Sequence, residues 1–313
     1  LDIVEAMAAD NSLFVRPDGS RWEGFGMAVQ AYQKRGVPLC RWLIDLAEKH
    51  DRKFMIRLVK GAYWDTEIKV TQVAGLNDFP VFTRKVATDV SFMACADVLL
   101  SAPERIYGAF ATHNAYTVGA IKSLAEREGR AASSGQDTPK FEFQRLHGMG
   151  EELYAALGQA EGNAKTPVRI YAPVGGHKDL LAYLIRRLLE NGANSSFVNR
   201  MADSDLSAED LAGNPIAELA ALEPKRNPAI PLPKDIFPGR KNSAGIDLAD
   251  PLVRDPLLKR LHNLRAEIAS ATSKSAELGA EHLEAPSGDP STLGRFVSDG
   301  RRLDFQANCT KPR

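Results

Sequence analysis

The chain has 313 residues, enough for one large domain with extensions or two modest ones, and 44% of them are apolar, so a sizeable core can be buried. Basic and acidic residues balance at 40 each, which leaves no basic block for nucleic acid or another polyanionic partner. No apolar run approaches the roughly 18 residues that span a bilayer, no secretory leader is visible, and Cys40, Cys95 and Cys309 have neither metal-ligand nor disulfide spacing, so a reducing, cytosolic setting fits best.

The segment from Leu1 to Ala8 reads as a helix already under way, as if the chain were cut from a longer one. Strand-length segments rich in β-branched or aromatic residues then recur: GMAVQAY from Gly26, KFMIRLVKGAYW from Lys53, YGAFATHN from Tyr107, KFEFQRLHG from Lys140 and VRIYAPVG from Val168. Helical periodicity lies between and after them. It covers Val37 to His50, with Leu39, Leu43, Leu46 and Ala47 on one face, then Val81 to Leu100, Tyr116 to Glu128 and Glu151 to Leu157. The last such stretch, Lys178 to Glu190, stops at Asn191-Gly192, a helix C-terminal signal.

Strand alternating with helix implies a parallel sheet wrapped by helices, either a closed (β/α)8 barrel or an open doubly wound sheet. No G-x-G-x-x-G follows any strand, so the dinucleotide fingerprint of the open fold is missing and the barrel is favoured. The predicted class is therefore α/β, a partial TIM-type barrel of five βα units over residues 1–200, with three further units expected before Leu1. A proline-dense, irregular connector is expected over 201–255; its IPLPKDIFPGRKNSAGIDL stretch is too apolar for a free linker and should lie along a surface. Residues 256–313 should form a helix from Pro256 to Ala271 and a polar tail, disordered beyond Ser287.

Polar residues gather where the strands end, the place where barrels build active sites: Gln30, Arg57, Lys60, Tyr63, Thr112, His113, Asn114, Gln144, His147 and Tyr171. Strands also end in polar residues simply because they meet solvent. In RLVKGAYW, Arg57 and Val59 face one side and Leu58 and Lys60 the other; Gly61 permits close backbone approach, and Tyr63 and Trp64 offer flat surfaces. Arg186 and Arg187 have Glu190 at ion-pair spacing, yet both border an apolar helix face, where two guanidiniums could clamp a small carboxylate. Thr83, Arg84 and Lys85 begin a helix introduced by Pro80, a setting that attracts phosphate or is simply a basic first turn. His113 has no second ligand at metal spacing, and no G-x-S-x-G, P-loop, H-E-x-x-H or pair of strand-end carboxylates is present. A cationic and aromatic toolkit suits a carboxylate substrate beside a flat anionic cofactor that performs the redox step.

RLVKGAYWDTEIK, FPVFTRKVATDVSFMACA, FATHNAYT, FEFQRLHGMGEELY, RIYAPVGGHKDLLAYLIRRLLENGANSSFVNR and IPLPKDIFPGRKNSAGIDL together resemble the proline utilization A family of bifunctional bacterial enzymes. The resemblance covers about Gly26 to Leu248. It implies a distorted barrel that holds FAD at its strand ends and oxidises L-proline to 1-pyrroline-5-carboxylate, the first step of proline breakdown to glutamate, with electrons passing to a membrane quinone. It also implies an aldehyde dehydrogenase domain in the parent polypeptide, and a cytoplasmic enzyme that meets the inner membrane face during turnover. Carried onto this chain, Arg186 and Arg187 would pair the proline carboxylate, Tyr171 and Tyr63 would pack on its ring and Leu146 would lie nearby. Arg57 would sit close to flavin N5, with Tyr171 and Arg57 serving catalysis; Gln30 would lie beside the isoalloxazine, and Gly61, Ala62 and Trp64 would contact the cofactor through the turn. Thr83, Arg84, Lys85, His113 and Asn114 would hold the rest of the cofactor, and Gln144, Glu190 and Phe197 would complete the cradle; no metal is implied.

The family's first units, with a Lys and an Asp that shape its proline pocket, its DNA-binding segment and its aldehyde dehydrogenase domain have no counterpart in the matched residues. Cys309 falls in an unmatched tail and is not a nucleophile candidate. A five-stranded open sheet leaves edges unpaired, so the isolated chain is expected to hold FAD weakly or not at all. Two other readings compete: an inactive truncated fragment, or one that completes its sheet in trans as a homo-oligomer, and a related barrel flavoenzyme acting on hydroxyproline.

Overall fold

The computed structural model describes residues 1–129, 141–162, 165–192, 213–277, 296–298 and 301–303. Two compact units divide the chain, Leu1–Ile246 and Asp247–Arg313. The first is built on strands β1 (Gly26–Gln30), β2 (Phe54–Val59), β3 (Ile106–Ala111), β4 (Phe141–Leu146) and β5 (Val168–Tyr171). They form one sheet in chain order, and every neighbouring pair is parallel. Helices α1 (Asp2–Ala9), α2 (Gly36–Lys49), α3 (Trp64–Ala74), α4 (Lys85–Leu100), α5 (Ala115–Arg127), α6 (Glu151–Glu161) and α7 (His177–Gly192) accompany it. The expected succession of βα units is present.

Strand alternation sets which face is greasy. Phe54, Ile56 and Leu58 of β2, Ile106 and Phe110 of β3, and Phe141 and Phe143 of β4 are buried against Leu43 and Leu46 of α2, Phe92 and Leu99 of α4, Ile121 of α5 and Tyr154 of α6. Each such side chain contributes about 1.5–3 kcal/mol by leaving water. The phenylalanines also meet edge to face, Phe110–Phe141 at 5.8 Å and Phe141–Phe143 at 5.7 Å between centroids. The intervening positions, among them Arg57, Glu142, Gln144, Arg169 and Tyr171, point to the opposite face, where the polar chemistry is collected. Cys40 and Cys95 are buried free thiols on α2 and α4, while Cys309 lies outside the described residues.

Three element boundaries differ from expectation. The helix expected from Val81 starts at Lys85, because Val81 bridges Gln33 and the Phe82 N–H donates to the Tyr32 carbonyl, holding the approach extended. From Trp64 the chain forms a helix, α3, where the sequence reading placed none; Asp65 and Glu67 suit its first turn, and Gly75 closes it in the left-handed conformation (φ 66°). Helix α6 runs past Leu157 to Glu161, whose carboxylate is held by Lys122 and Thr166.

Of the expected connector, residues 201–212 lie outside the described residues, and the part from 213 is irregular chain with one short helix. Asn214 accepts from the Ile216 and Ala217 N–H groups and caps a short helix, α8 (Pro215–Ala221), with Pro215 at its first position. The following strap, residues 224–246, does lie along a surface. Ile230 and Leu232 pack on a second core of Tyr32, Ile68, Phe79 and Val81. The Gly245 N–H donates to the Gly75 carbonyl at 2.8 Å, where the two backbones pass with no room for a side chain.

In the second unit α9 spans Pro251–Glu277, longer than the expected Pro256–Ala271, because Asp250 caps it and Pro251 opens it; Pro256 is accommodated inside. Residues 296–298 and 301–303 form an antiparallel pair, β6 (Phe296–Ser298) and β7 (Arg301–Leu303); the rest of the tail for which disorder was expected lies outside the described residues. Phe296, Val297 and Leu303 are strand formers. Among the described residues no helix is long and apolar enough to cross a membrane.

Candidate active site

The candidate site forms where the β2–α3 turn, the ends of β4 and β5, and α7 meet. Register shows that its polar residues do not stand at one level. Arg57 pairs with Ala28 and Ala109, and Ala109 pairs with Glu142, so Arg57 rises from within β2. Gln144 pairs with Ala111 and Arg169, one layer higher, and Tyr171 pairs with Leu146 higher still. The Arg57 guanidinium reaches up to lie 4.8 Å from the centre of the Tyr171 ring, and its Nε donates to Gln144 Oε1 at 2.8 Å. From α7, Arg186 lies 5.0 Å from the centre of the half-exposed Tyr63 ring. Two cations thus face two aromatic rings contributed by different elements.

His113 stands among these cations. Its Nε2 accepts the Leu146 N–H at 3.0 Å, so the ring proton sits on Nδ1. Burial, reinforced by the positive charges of Arg187, Arg145 and Arg57, pushes its pKa down to about 4. The unfolded ring binds a proton near 6.5 and the folded ring only near 4, so unfolding takes up a proton within that window. The stability His113 supports is complete above pH 6.5 and is lost as pH falls towards 4. Urea midpoints measured across this range should drop more steeply for the parent chain than for His113→Gln; parallel curves would contradict the assignment.

Asn114 is an N-cap in the structure: its Oδ1 accepts from the Thr117 N–H at 2.9 Å and the Thr117 hydroxyl at 3.1 Å at the start of α5. Asn114→Ala should cost about 1 kcal/mol, read from the urea midpoint. Gln30 Oε1 accepts the Ala62 N–H at 3.2 Å, which braces the turn carrying Gly61, Ala62 and Tyr63. Trp64 Nε1 donates to the Phe82 carbonyl at 2.8 Å. Leu146 is buried at the end of β4.

The basic start of α4 has protein partners. Thr83 Oγ1 accepts the Asn227 N–H at 2.9 Å, Arg84 donates to the Pro224 and Arg226 carbonyls, and Lys85 pairs with Asp89 at 3.0 Å. Lys60 also turns to Asp89, at 2.5 Å, on the α4 side. Burial, opposed by Asp89, holds its ammonium below the usual lysine range. A cavity of about 590 Å³ opens beside Thr83 and Arg84, walled by Phe82, Ala87, Ile216 and Leu219. Glu190 falls within α7, but its side chain, and Phe197 altogether, lie outside the described residues.

Sequence reasoning missed one buried charge in the middle of the site. Glu142, 2% exposed, takes paired hydrogen bonds from Arg169, both at 2.7 Å, and a third from Gln144 at 2.7 Å. The signal was available: Glu142 and Gln144 alternate with Phe141 and Phe143, so the polar pair shares one face of the strand.

The donor set fits an anionic, flat ligand. Arg57, Arg186 and Arg187 bring positive charge to the site, while its nearby carboxylates are already engaged, Glu142 by Arg169 and Asp89 by Lys60 and Lys85. Gly61, at φ 143°, lets the turn pass directly over the Tyr32 ring, leaving exposed backbone from Gly61 to Tyr63. Among the described residues no three His, Cys, Asp or Glu side chains are grouped as they would be around a metal ion.

Comparison with known proteins identifies the family of the chain. A family model described as proline dehydrogenase matches residues 1–200. The bifunctional protein PutA of Klebsiella aerogenes is 51% identical over 259 residues, which is 80% of this chain and 19% of that protein. Proline dehydrogenase 1 of Bacillus subtilis is 32% identical over 177 residues, 56% of this chain and 48% of that protein. The solved structure of Bradyrhizobium japonicum proline utilization A, a D778Y variant, superposes with a TM-score of 0.72 at 49% identity, covering 82% of this chain and 25% of that one. The chain therefore spans about a fifth of the length of the curated bifunctional relatives it matches. On the family match and these identities, this chain belongs to the proline dehydrogenase family.

Proposed function

We propose that this chain carries the chemistry of a proline dehydrogenase: FAD-dependent oxidation of L-proline to 1-pyrroline-5-carboxylate, the first step of proline breakdown towards glutamate. The parent polypeptide would add an aldehyde dehydrogenase domain, and the electrons would leave to a quinone at the inner face of the cytoplasmic membrane. The observation that carries the reading is the convergence of Arg57 with Tyr171 and of Arg186 with Tyr63. That arrangement offers a carboxylate clamp beside apolar rings, within a family of proline dehydrogenases.

FAD, when bound, supplies the hydride acceptor for C5 of proline. The chain does the rest. Arg186 and Arg187 pair the substrate carboxylate through forked hydrogen bonds. Tyr63, Tyr171 and Leu146 cover the saturated ring and keep water from it. The surrounding guanidiniums disfavour the ammonium form of the substrate nitrogen, and only the neutral amine releases hydride readily. Gln30, Ala62, Trp64, Gln144 and Arg57 would meet the flavin ring system, and Thr83, Arg84, Lys85, His113 and Asn114 the ribityl and phosphate portions, with Glu190 and Phe197 closing the cradle.

The test is a titration of the chain with FAD followed by anaerobic addition of L-proline. Flavin fluorescence should quench with a weak, measurable affinity, since the sheet edges are open, and proline should bleach the bound flavin. Flavin that dithionite bleaches and L-proline leaves oxidised would overturn the reading.

A further inference from the structure

We propose that Glu142 is the positioning residue of this site: through the carboxamide of Gln144 it fixes the orientation and the available charge of Arg57, with Arg169 as its counter-ion. This deepens the proposed function, since it concerns the arginine assigned there to the flavin ring.

The argument begins with hydrogen-bond valency. An ionised carboxylate only accepts. Glu142 accepts from Arg169 Nε and a terminal Arg169 nitrogen at 2.7 Å each, from Gln144 Nε2 at 2.7 Å and from the Tyr107 hydroxyl at 3.4 Å. Burial alone would raise its pKa, but the hydrogen bonds from Arg169 and Gln144 and the Arg169 charge bring it below the ordinary range, so it is anionic. Gln144 must therefore turn its NH2 towards Glu142, which leaves its oxygen facing Arg57 Nε at 2.8 Å. A flipped amide would oppose oxygen to carboxylate and NH2 to guanidinium. One rotamer of Gln144 is thus selected, and with it one plane for Arg57, whose face is already set by the Tyr171 ring at 4.8 Å.

The neutral spacer has a second effect. Were the carboxylate bonded to Arg57 directly, it would neutralise that guanidinium. Glu142 is instead matched by Arg169, one pairing layer above it, and the amide that bonds Arg57 Nε is neutral. Arg57 keeps its charge and its two terminal nitrogens for an anionic ligand. Glu142 lies at the level of Arg57, one layer below Gln144.

The experiment uses the whole chain labelled with 15N at arginine Nε, with the Arg57 signal assigned from Arg57→Lys. In Glu142→Ala the Arg57 Nε–H should exchange with solvent about tenfold faster or more, since its acceptor is no longer held. Glu142→Gln keeps one acceptor oxygen for Gln144 and should show a smaller increase, which provides a conservative variant if the alanine chain folds poorly. Unchanged exchange in Glu142→Ala, with the variant folded by circular dichroism, would overturn the proposal; so would loss of protection at every labelled arginine in both variants, the mark of general loosening. With FAD present, kcat on L-proline should fall about tenfold in Glu142→Ala while KM stays within about threefold, because the carboxylate clamp is on α7. A parent chain that L-proline does not reduce, but whose Arg57 responds as stated, would keep the positioning role and remove the proposed function.

Discussion

Replacing Arg187 with methionine is expected to raise KM for L-proline about a hundredfold while kcat at saturation changes less than about fivefold. A hydrogen bond to a charged group is worth about 1.5–3 kcal/mol, and an arginine fork supplies two of them to one carboxylate. The carboxylate takes no part in bond breaking, so its partner binds ground state and transition state alike, and the loss falls on KM. Methionine keeps the length and apolar stem of the side chain, which packs on α7 near the Tyr183 ring. Arg187→Lys should recover only part of the affinity, because an ammonium keeps the charge without the planar fork. Steady-state kinetics on the three proteins decide the matter; an Arg187→Met chain with the parent KM would remove the clamp from α7.

The second large effect is structural. Gly61→Ala should cost about 4 kcal/mol, measured by urea denaturation, and with it the geometry of the turn. Gly61 has φ 143°, a region that side-chain-bearing residues avoid, and a Cβ there would lie 2.4 Å from the Tyr32 ring. The ring atoms in question are those nearest its own Cβ, and Tyr32 is buried under Ile230 and Leu232, so it has nowhere to withdraw. The double variant Gly61→Ala with Tyr32→Leu separates the two causes. It should regain the steric part and keep the backbone part, so the combined loss is smaller than the sum of the single losses. Strictly additive losses would show that the ring is not the obstacle.

The strands were legible because their β-branched and aromatic runs are short and bounded by turns, and the helix faces because Leu39, Leu43 and Leu46 recur at helical spacing. What sequence could not supply was height. Arg57 and Gln144 both read as strand-end residues, yet register puts them in different layers, since level depends on which residues pair across strands. Glu142 was passed over for the same reason: its role comes from Arg169, a partner on another strand. Helix α3 was hidden by the aromatics that precede it, although Gly75 marks its end. The connector's prolines pointed to irregular chain, yet Pro215, after Asn214, opens a helix. The grouping of Arg186 with Tyr63 joins two distant segments, which spacing could not show and only the family resemblance suggested.

The strap over Tyr32 also says something about order of assembly. The βα units are local and can form as they emerge from the ribosome. The pocket around Tyr32, Ile68, Phe79 and Val81 cannot close until Ile230 and Leu232 have been synthesised, some way further along the chain. During that interval the underside of the Gly61 turn is open to water, and the turn has no fixed floor. Ligand-competent geometry at the β2–α3 turn is therefore a late event in the life of the chain, and any dissection that stops short of the strap removes it without touching a single strand.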